Sequence, residues 1–406
     1  MSSLADKLKS LGVKTGAQDL PAPVKHRPTP IEEVVDGRFI ETTYGLAFVT
    51  ESNFPKDYSH GRAGLNLDAP FEALATWLRE PGLLAQDFQS LIFLDTETSG
   101  LSGGTGTFAF LVGLGRFHHH GFRLSQFFML DPSQELPHLA AVMTSLFPMN
   151  GLVTFNGKAF DVPLLNTRYR LNREPSPFLS AFHIDLLPLA RRLWRARLPS
   201  RTLGYLEENI LSMKRTQEDI PGWMIPGLYF DYLRTGDAQP LKNVFYHNAM
   251  DILSMAALLN HIAHILADPL HGTVEHGLDL ISMGSLYEEM GELDSAAHCY
   301  ERGLSFELPE QVYNEALMRW SLMEKRRQNL DRAVQLWLEL ASRRDIYAFV
   351  ELAKFYEHKL RDFDSAIYWT QTALENILSQ DFPLFDRNYW LPELEHRLHR
   401  LLRKLG

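Results

Sequence analysis

The pattern of apolar and polar residues divides the chain into a part that alternates between strands and helices and a part that is all helix. Short apolar runs bounded by turn-forming residues, such as 91–94 and 151–155, predict strands that are buried on both faces. The β-rich runs 108–117 and 122–130 are separated by HHHG and predict a hairpin. Residues 245–266 carry apolar positions at helical spacing and predict a long helix. This order predicts an α/β fold in which a mixed sheet is flanked by helices.

Beyond residue 268 the alternation ends, and small residues recur among large ones at regular distances. Ala296, Ala333 and Ala366 are 37 and 33 residues apart, close to the tetratricopeptide repeat of about 34 residues. The region resembles about three degenerate tetratricopeptide repeats with 391–405 as a capping helix, and an irregular helical bundle is the alternative. The concave face of such a solenoid suits a peptide or protein partner.

These patterns predict three domains. Residues 1–85 are expected to form an N-terminal extension with short strands and a Pro-rich linker. Residues 86–268 are expected to form the α/β domain, and residues 269–406 the all-α, tetratricopeptide-like domain.

Composition limits the class of protein. A single cysteine, Cys299, excludes an intrachain disulfide and fits a reducing compartment, so we expect a cytoplasmic protein. The N-terminus lacks the apolar region of a signal peptide, and no apolar run approaches the ~18 residues of a membrane span, so we expect no membrane partner. The net charge of −10 is unevenly distributed along the chain. Residues 271–406 contain 16 Lys+Arg and 23 Asp+Glu and carry a net charge of −7, so residues 1–270 carry the remaining −3. The acidic C-terminal third is therefore a poor candidate for binding phosphates.

Two carboxylates, Asp95 and Glu97, directly follow the buried run 91–94 in the sequence DTETSG. Residues two apart on a strand point to the same side, and two like charges at the end of a buried strand repel each other and lose hydration. A divalent cation such as Mg²⁺, which prefers carboxylate oxygens, relieves both costs. A strand that runs out into solvent explains an isolated pair equally well, so the metal interpretation depends on partner acids.

Partner acids occur at two later positions. Asp161 follows the strand 151–155 where a helix begins; it can be a helix N-cap or a third metal-binding carboxylate. Asp251 follows His247 by four residues on the predicted long helix, so both side chains share one face. A surface hydrogen bond also explains that pair.

Five arginines fall within eleven residues around one tryptophan: Arg191, Arg192, Arg195, Arg197 and Arg201, with Trp194 among them. Arginines contact phosphates, and an aromatic ring stacks on bases. We therefore predict nucleic-acid contacts by Arg191, Arg192, Trp194, Arg195 and Arg197, with a solvated helix face as an equally weighted alternative.

Taken together, the acids resemble those of the RNase H-like DEDD 3′–5′ exonucleases, a superfamily built around four metal-binding acidic residues. Asp95 and Glu97 match its first motif, Asp161 in NGKAFD its second, and Asp251 after His247 its third. The resemblance covers about residues 90–265. The SGGTGT loop, RRLWRARLPS and FYHNAMDILS further resemble the bacterial YprB-like branch.

The resemblance implies a 3′–5′ exonuclease that hydrolyses single-stranded DNA or RNA with two Mg²⁺ or Mn²⁺ ions. Asp95, Glu97, Asp161 and Asp251 would bind the metal ions. His247 would deprotonate or orient the attacking water, although its spacing of four residues from Asp251 is that of members with a tyrosine in its place. A non-catalytic nucleic-acid-binding or scaffold protein with the same fold and a structure-directed endonuclease are the alternatives.

Overall fold

The structure is a computed structural model of the 406-residue chain. It describes residues 28–84, 88–100, 106–269 and 274–405. Most of the predicted Pro-rich linker, up to residue 27, and residues 101–105 of the predicted glycine-rich loop lie outside the described residues.

The strands of the described residues lie in the first half of the chain. They are β1 Gly37–Thr42, β2 Gly45–Pro55, β3 Ser59–His60, β4 Ala63–Gly64, β5 Leu91–Thr98, β6 Ala109–His118, β7 Gly121–Phe128, β8 Gly151–Thr154 and β9 Phe182–Asp185.

The α-helices alternate with the later strands and then continue without them. They are α1 Glu72–Leu78, α2 Glu135–Leu146, α3 Asp161–Leu171, α4 Leu186–Trp194, α5 Leu203–Asn209, α6 Ile225–Thr235, α7 Leu241–Ala267, α8 Gly277–Met290, α9 Leu293–Leu304, α10 Glu310–Arg326, α11 Leu330–Ser342, α12 Ile346–Phe355, α13 Phe363–Ile377 and α14 Leu384–Leu405.

Seven strands form one mixed sheet in the order β1-β2-β7-β6-β5-β8-β9. The β5–β8 and β8–β9 pairs are parallel, and the other pairs are antiparallel. The predicted hairpin is β6–β7, and the run 91–94 forms the buried half of β5. The prediction of an α/β fold with a mixed sheet flanked by helices is confirmed.

The strands near the N-terminus are part of this sheet. β1 and β2 form one edge of it, and β2 pairs with β7 from Phe48 to Pro55. The region predicted as an N-terminal extension therefore contributes two strands to the sheet of the α/β unit, and the boundary at residue 85 stays a prediction.

Helix α7 is the central helix of the α/β unit. It packs against β5, β6 and β7, and most of its apolar residues are fully buried. By length and composition alone it could cross a membrane, yet 72% of its most apolar window is buried inside the protein. The sheet and its neighbouring helices therefore account for the apolar character of α7.

The C-terminal part is all helix, as predicted. Consecutive helices pack as the pairs α8–α9, α10–α11 and α12–α13. Ala296, Ala333 and Ala366 are each 0% exposed, and Gly284 lies so close to the Tyr300 ring that a Cβ atom would approach it to 2.9 Å. Small residues thus sit where helices approach closely, and the tetratricopeptide-like repeat stays a prediction.

Candidate active site

The first two acids lie in the carboxyl-terminal half of β5. Asp95 is paired across the sheet with Gly113 of β6, and the register shifts between Glu97 and Thr98. Irregularities of this kind re-aim side chains near the end of a strand. Asp95 is half-buried and Glu97 is buried, so both carboxylates lie at the boundary of the core.

A buried amide, Asn248, binds Asp95, and a second buried amide, Gln126, binds Asn248. Asn248 of α7 donates from Nδ2 to Asp95 Oδ2 at 2.8 Å. Gln126 of β7 in turn donates from Nε2 to Asn248 Oδ1 and to the carbonyl oxygen of Phe245, both at 2.9 Å. Asn248 is 0% exposed, so its orientation is fixed by these partners. Sequence reasoning missed both amides, because no local spacing distinguishes them from other polar residues.

Gly113 leaves the space that Asn248 occupies, since a Cβ atom at Gly113 would overlap the Asn248 side chain. We expect Gly113→Ala to displace Asn248 from Asp95 and to lower the free energy of unfolding by about 1–3 kcal/mol, as overpacked substitutions do. Urea denaturation measures the change. Gly204→Ala is the matched control, because nothing lies within 4 Å of the added methyl group; equal effects of the two substitutions would contradict the expectation.

Asp161 is the first residue of α3, directly after a turn that Asp185 of β9 holds in place. The Asp185 carboxylate accepts the backbone N–H groups of Asn156 at 2.7 Å and Lys158 at 3.1 Å. Asp161 does not cap the helix; its Oδ1 accepts the Thr96 hydroxyl at 2.5 Å. The N-cap interpretation is therefore wrong, and the side chain faces β5.

His247 and Asp251 share a face of α7, as their spacing predicts. His247 Nε2 is 3.8 Å from Asp251 Oδ2, and His247 Nδ1 is 2.7 Å from Oδ1 of Asp219. Arg215 forms an ion pair with Asp251, and its Nη1 is 3.2 Å from His247 Nδ1. Asp219 and Arg215 both lie at Nδ1, so Nε2 is the ring nitrogen of His247 that faces Asp251.

Arg215 is anchored by a second acid, Glu207, which is only 1% exposed. Arg215 Nε donates to Glu207 Oε2 at 2.6 Å, and Arg215 Nη2 donates to Glu207 Oε1. Burial would lower the pKa of the guanidinium, but the hydrogen bonds and charges of Glu207 and Asp251 outweigh it and raise that pKa. Arg215 is therefore a permanent cation beside the acids, and no local pattern in the sequence marks it, Glu207 or Asp219.

The four predicted acids influence one another electrostatically. Burial raises the pKa of Asp95 well above its usual range, and the charges of Asp251 and Asp161 raise it further. Burial likewise raises the pKa of Glu97, with added contributions from the other three acids. Burial raises the pKa of Asp161 to about 6 against the opposing Thr96 hydrogen bond, and that of Asp251 against Arg215 and His247. The contacts of Thr96 with Asp161 and of Asn248 with Asp95 thus place α3 and α7 beside the acids of β5.

This donor set fits a divalent cation by its chemistry, because burial and the charges of neighbouring carboxylates oppose the ionisation of Asp95 and Glu97, and a bound cation relieves both costs. Carboxylate oxygens are the ligands that Mg²⁺ and Mn²⁺ prefer. As they stand, no three His, Cys, Asp or Glu side chains in the described part of the chain are arranged to hold a metal ion. Asp95, Asp161 and Asp251 face Asn248, Thr96 and Arg215 instead.

The arginine-rich segment lies elsewhere and has a different role from the predicted one. Trp194 is 1% exposed and stacks on His261 of α7 at a ring-centroid distance of 6.3 Å, so no base can stack on it. Arg197 binds Asp279 of α8 at 2.8 Å, and Arg192 forms an ion pair with Glu289 of the same helix. Trp194 thus packs α4 against α7, and Arg192 and Arg197 join α4 and the residues after it to α8.

Only part of the predicted arginine surface therefore faces solvent. Arg191, Arg192 and Arg195 are exposed, Arg192 while paired with Glu289, and their contact with nucleic acid stays a prediction. The apolar pattern of α4 in the sequence already indicated that one face of this helix, including Trp194, is buried. Leu186, Leu189, Ala190, Leu193 and Trp194 follow helical spacing i, i+3, i+4, i+7, i+8, which is typical of a buried stripe.

The mixed sheet, the acids of β5 and the acids of α3 and α7 define the class of protein. A family model described as RNase_H superfamily matches residues 92–263, the segment that holds all four acids and His247. The chain is also similar to the Bacillus subtilis (strain 168) protein named Uncharacterized protein YprB, with 32% identity over 339 residues that cover 81% of this chain and 80% of that protein. The chain belongs to the RNase H superfamily and to its YprB-like branch.

Membership of this superfamily indicates a nuclease-type fold and, with it, a nucleic-acid substrate. Nucleases of this class typically use divalent metal ions. The acids of β5, α3 and α7 are the residues of this chain that are suited to that chemistry.

Proposed function

We propose that the protein is a metal-dependent 3′–5′ exonuclease that hydrolyses phosphodiester bonds of single-stranded nucleic acid. The proposal is supported by contacts that place the acid-bearing elements side by side: Asp161 of α3 accepts the hydroxyl of Thr96, which lies between Asp95 and Glu97 on β5, and Asn248, three residues before Asp251 on α7, donates to Asp95. The pKa values of all four acids are raised there. Carboxylates arranged in this way raise the free energy of the protein unless a cation neutralises them. Such a group of acids is expected where a protein binds a metal ion.

Asp95, Glu97, Asp161 and Asp251 would hold Mg²⁺ or Mn²⁺, with two ions expected from the resemblance to the DEDD exonucleases. The bound cations would supply the Lewis acidity that phosphodiester hydrolysis requires.

Residues of the protein would accept the proton of the attacking water, orient Asp95 and attract the phosphate. Asp219 holds His247 Nδ1, which leaves Nε2 to accept the proton of the attacking water. The amides of Asn248 and Gln126 keep Asp95 in one orientation. Arg215 offers a permanent positive charge to an approaching phosphate.

The test uses end-labelled single-stranded and duplex DNA and RNA with Mg²⁺ or Mn²⁺. We expect stepwise shortening of single strands from the 3′ end and its loss in Asp251→Asn, which removes a carboxylate of the cluster. Asp231→Asn is the matched control, because Asp231 is an exposed acid of α6 paired with Arg234, and it should cut normally. Internal cuts in structured substrates would favour an endonuclease. Undiminished cutting by Asp251→Asn would contradict the proposal.

One observation favours the second candidate, a non-catalytic nucleic-acid-binding protein. Arg215 engages Asp251 directly, and a fixed internal cation can replace a metal ion as the neutralising charge. The two candidates differ in their response to Mn²⁺, because only a metal-binding cluster gains stability when Mn²⁺ is added.

A further inference from the structure

A cleft of about 640 Å³ lies beside the proposed active site. The residues that line it include His247, Asp251, Tyr205, Asp219 and Gly222. This volume falls within the ~300–1,000 Å³ of ordinary ligand sites. The cleft is therefore large enough to accept part of a substrate next to the acids.

An exposed tryptophan follows a wall residue of this cleft. Trp223 comes directly after Gly222, where a Cβ atom would lie 3.9 Å from His247 Nε2. The side chain of Trp223 is 71% exposed, whereas the other six tryptophans, all within the described residues, are buried or half-buried. An indole so open to water is not a core residue, and it directly follows Gly222, which lines the cleft.

A second exposed aromatic residue adjoins the acids themselves. Phe160 is 58% exposed and immediately precedes Asp161 at the start of α3. Two large aromatic side chains therefore extend into solvent, each one residue away from a residue of the site. Aromatic faces stack on unpaired bases whatever the sequence, whereas the bases of a duplex are already stacked on one another.

We propose that Trp223 and Phe160 stack on unpaired bases of a single-stranded nucleic acid at the acid cluster and thereby select single strands over duplexes. The substrate class in this inference rests on the proposed nuclease function. Trp223 takes over the stacking role that sequence reasoning gave to the buried Trp194.

Binding without cleavage tests the inference. In the full-length Asp95→Asn protein, the affinity for a fluorescent single-stranded oligothymidylate is measured by anisotropy in Trp223→Ala and Trp223→Phe. We expect Trp223→Ala to weaken binding roughly 5- to 150-fold, from the ~1–3 kcal/mol of one stacked base, and Trp223→Phe to retain most of the affinity. Oligothymidylate should quench tryptophan fluorescence in the parent and much less in Trp223→Ala. Phe160→Ala should weaken binding within the same range.

The matched control is Tyr389→Ala, which removes an equally open aromatic side chain, 68% exposed, from the distant helix α14. Unchanged affinity in Trp223→Ala, or an equal loss in Tyr389→Ala, would overturn the inference. So would an equal loss of duplex affinity in Trp223→Ala. If the wild type binds and its fluorescence is quenched but it cuts nothing with Mn²⁺, the stacking role stands and the nuclease proposal fails.

Discussion

Asp95→Asn is expected to stabilise the metal-free protein and to abolish its nuclease activity. The raised pKa of Asp95 means that its ionised form is disfavoured in the folded state by burial and by the charges of Asp251 and Asp161. Asparagine removes that charge, and its side-chain oxygen can still accept the Asn248 amide. We expect a gain of about 0.5–3 kcal/mol in the free energy of unfolding, the usual range of single substitutions, measured in EDTA at pH 8.

The pH dependence of this gain has a definite sign. An unfolded Asp titrates near ~3.9, whereas folded Asp95 binds its proton more tightly. Between these two pKa values the folded state holds more protons, so the wild type loses stability as pH rises. The advantage of Asp95→Asn should therefore be smallest below about pH 4 and grow as pH rises, until Asp95 is fully ionised in the folded state.

Mn²⁺ should remove most of the advantage of Asp95→Asn or reverse it. A site that fills at 100 times its Kd gains ~2.7 kcal/mol, so the wild type should be stabilised by Mn²⁺ while Asp95→Asn responds little. Asp231→Asn, which leaves the cluster intact, should respond as the wild type does. An equal Mn²⁺ response in the wild type and Asp95→Asn would refute a metal role for Asp95, and no response in either would favour the non-catalytic candidate.

Arg215→Met is expected to destabilise the protein strongly. Glu207 is 1% exposed, and removal of Arg215 leaves its charge buried without the cation that binds both of its oxygens. Breaking a buried ion pair in this way costs roughly 3–5 kcal/mol. Urea denaturation measures the loss, and Arg234→Met, which breaks an exposed pair with Asp231, should lose at most ~1 kcal/mol.

A second substitution distinguishes the contribution of Glu207 to this loss of stability from that of Asp251. Glu207→Met added to Arg215→Met removes the stranded charge and should restore much of the stability. Recovery should be incomplete, because Asp251 has also lost its cation. If Arg215→Met costs no more than Arg234→Met, the buried pair does not stabilise the protein. If Glu207→Met gives no recovery, the cost comes from Asp251.

Local patterns predicted the parts of the site that lie on single elements. Asp95 and Glu97 end a buried apolar run, and the i,i+4 spacing of His247 and Asp251 puts both on one helix face. These features need only the period of a strand or helix. The hairpin and the long helix could be predicted for the same reason.

The partners that orient the acids could not be predicted in this way. Asn248 meets Asp95 across 153 residues of sequence, and Arg215 meets Asp251 across 36. Such contacts depend on how the sheet and helices pack, and a single sequence carries no periodic signal for them. Asp185 shows the same limit, because its hydrogen bonds to the turn before Asp161 appear only once β8 and β9 lie side by side.

Helix α7 connects two distant parts of the protein. Its first half carries His247, Asn248 and Asp251, and near its other end His261 stacks on Trp194 and the Leu266 carbonyl oxygen accepts the Tyr287 hydroxyl of α8. Over 27 residues this is a rod of about 40 Å at 1.5 Å per residue.

Because α7 is one continuous helix, the directions in which the side chains at its two ends point are fixed relative to each other. A single inserted residue between Asp251 and His261 would turn one end against the other by about 100°, so the acids and the aromatic contact could not both keep their partners. An insertion of about seven residues, close to two full turns, would return both ends to nearly the same angle, at the expense of a lengthwise shift. The contacts at both ends of α7 therefore constrain the number of residues between them.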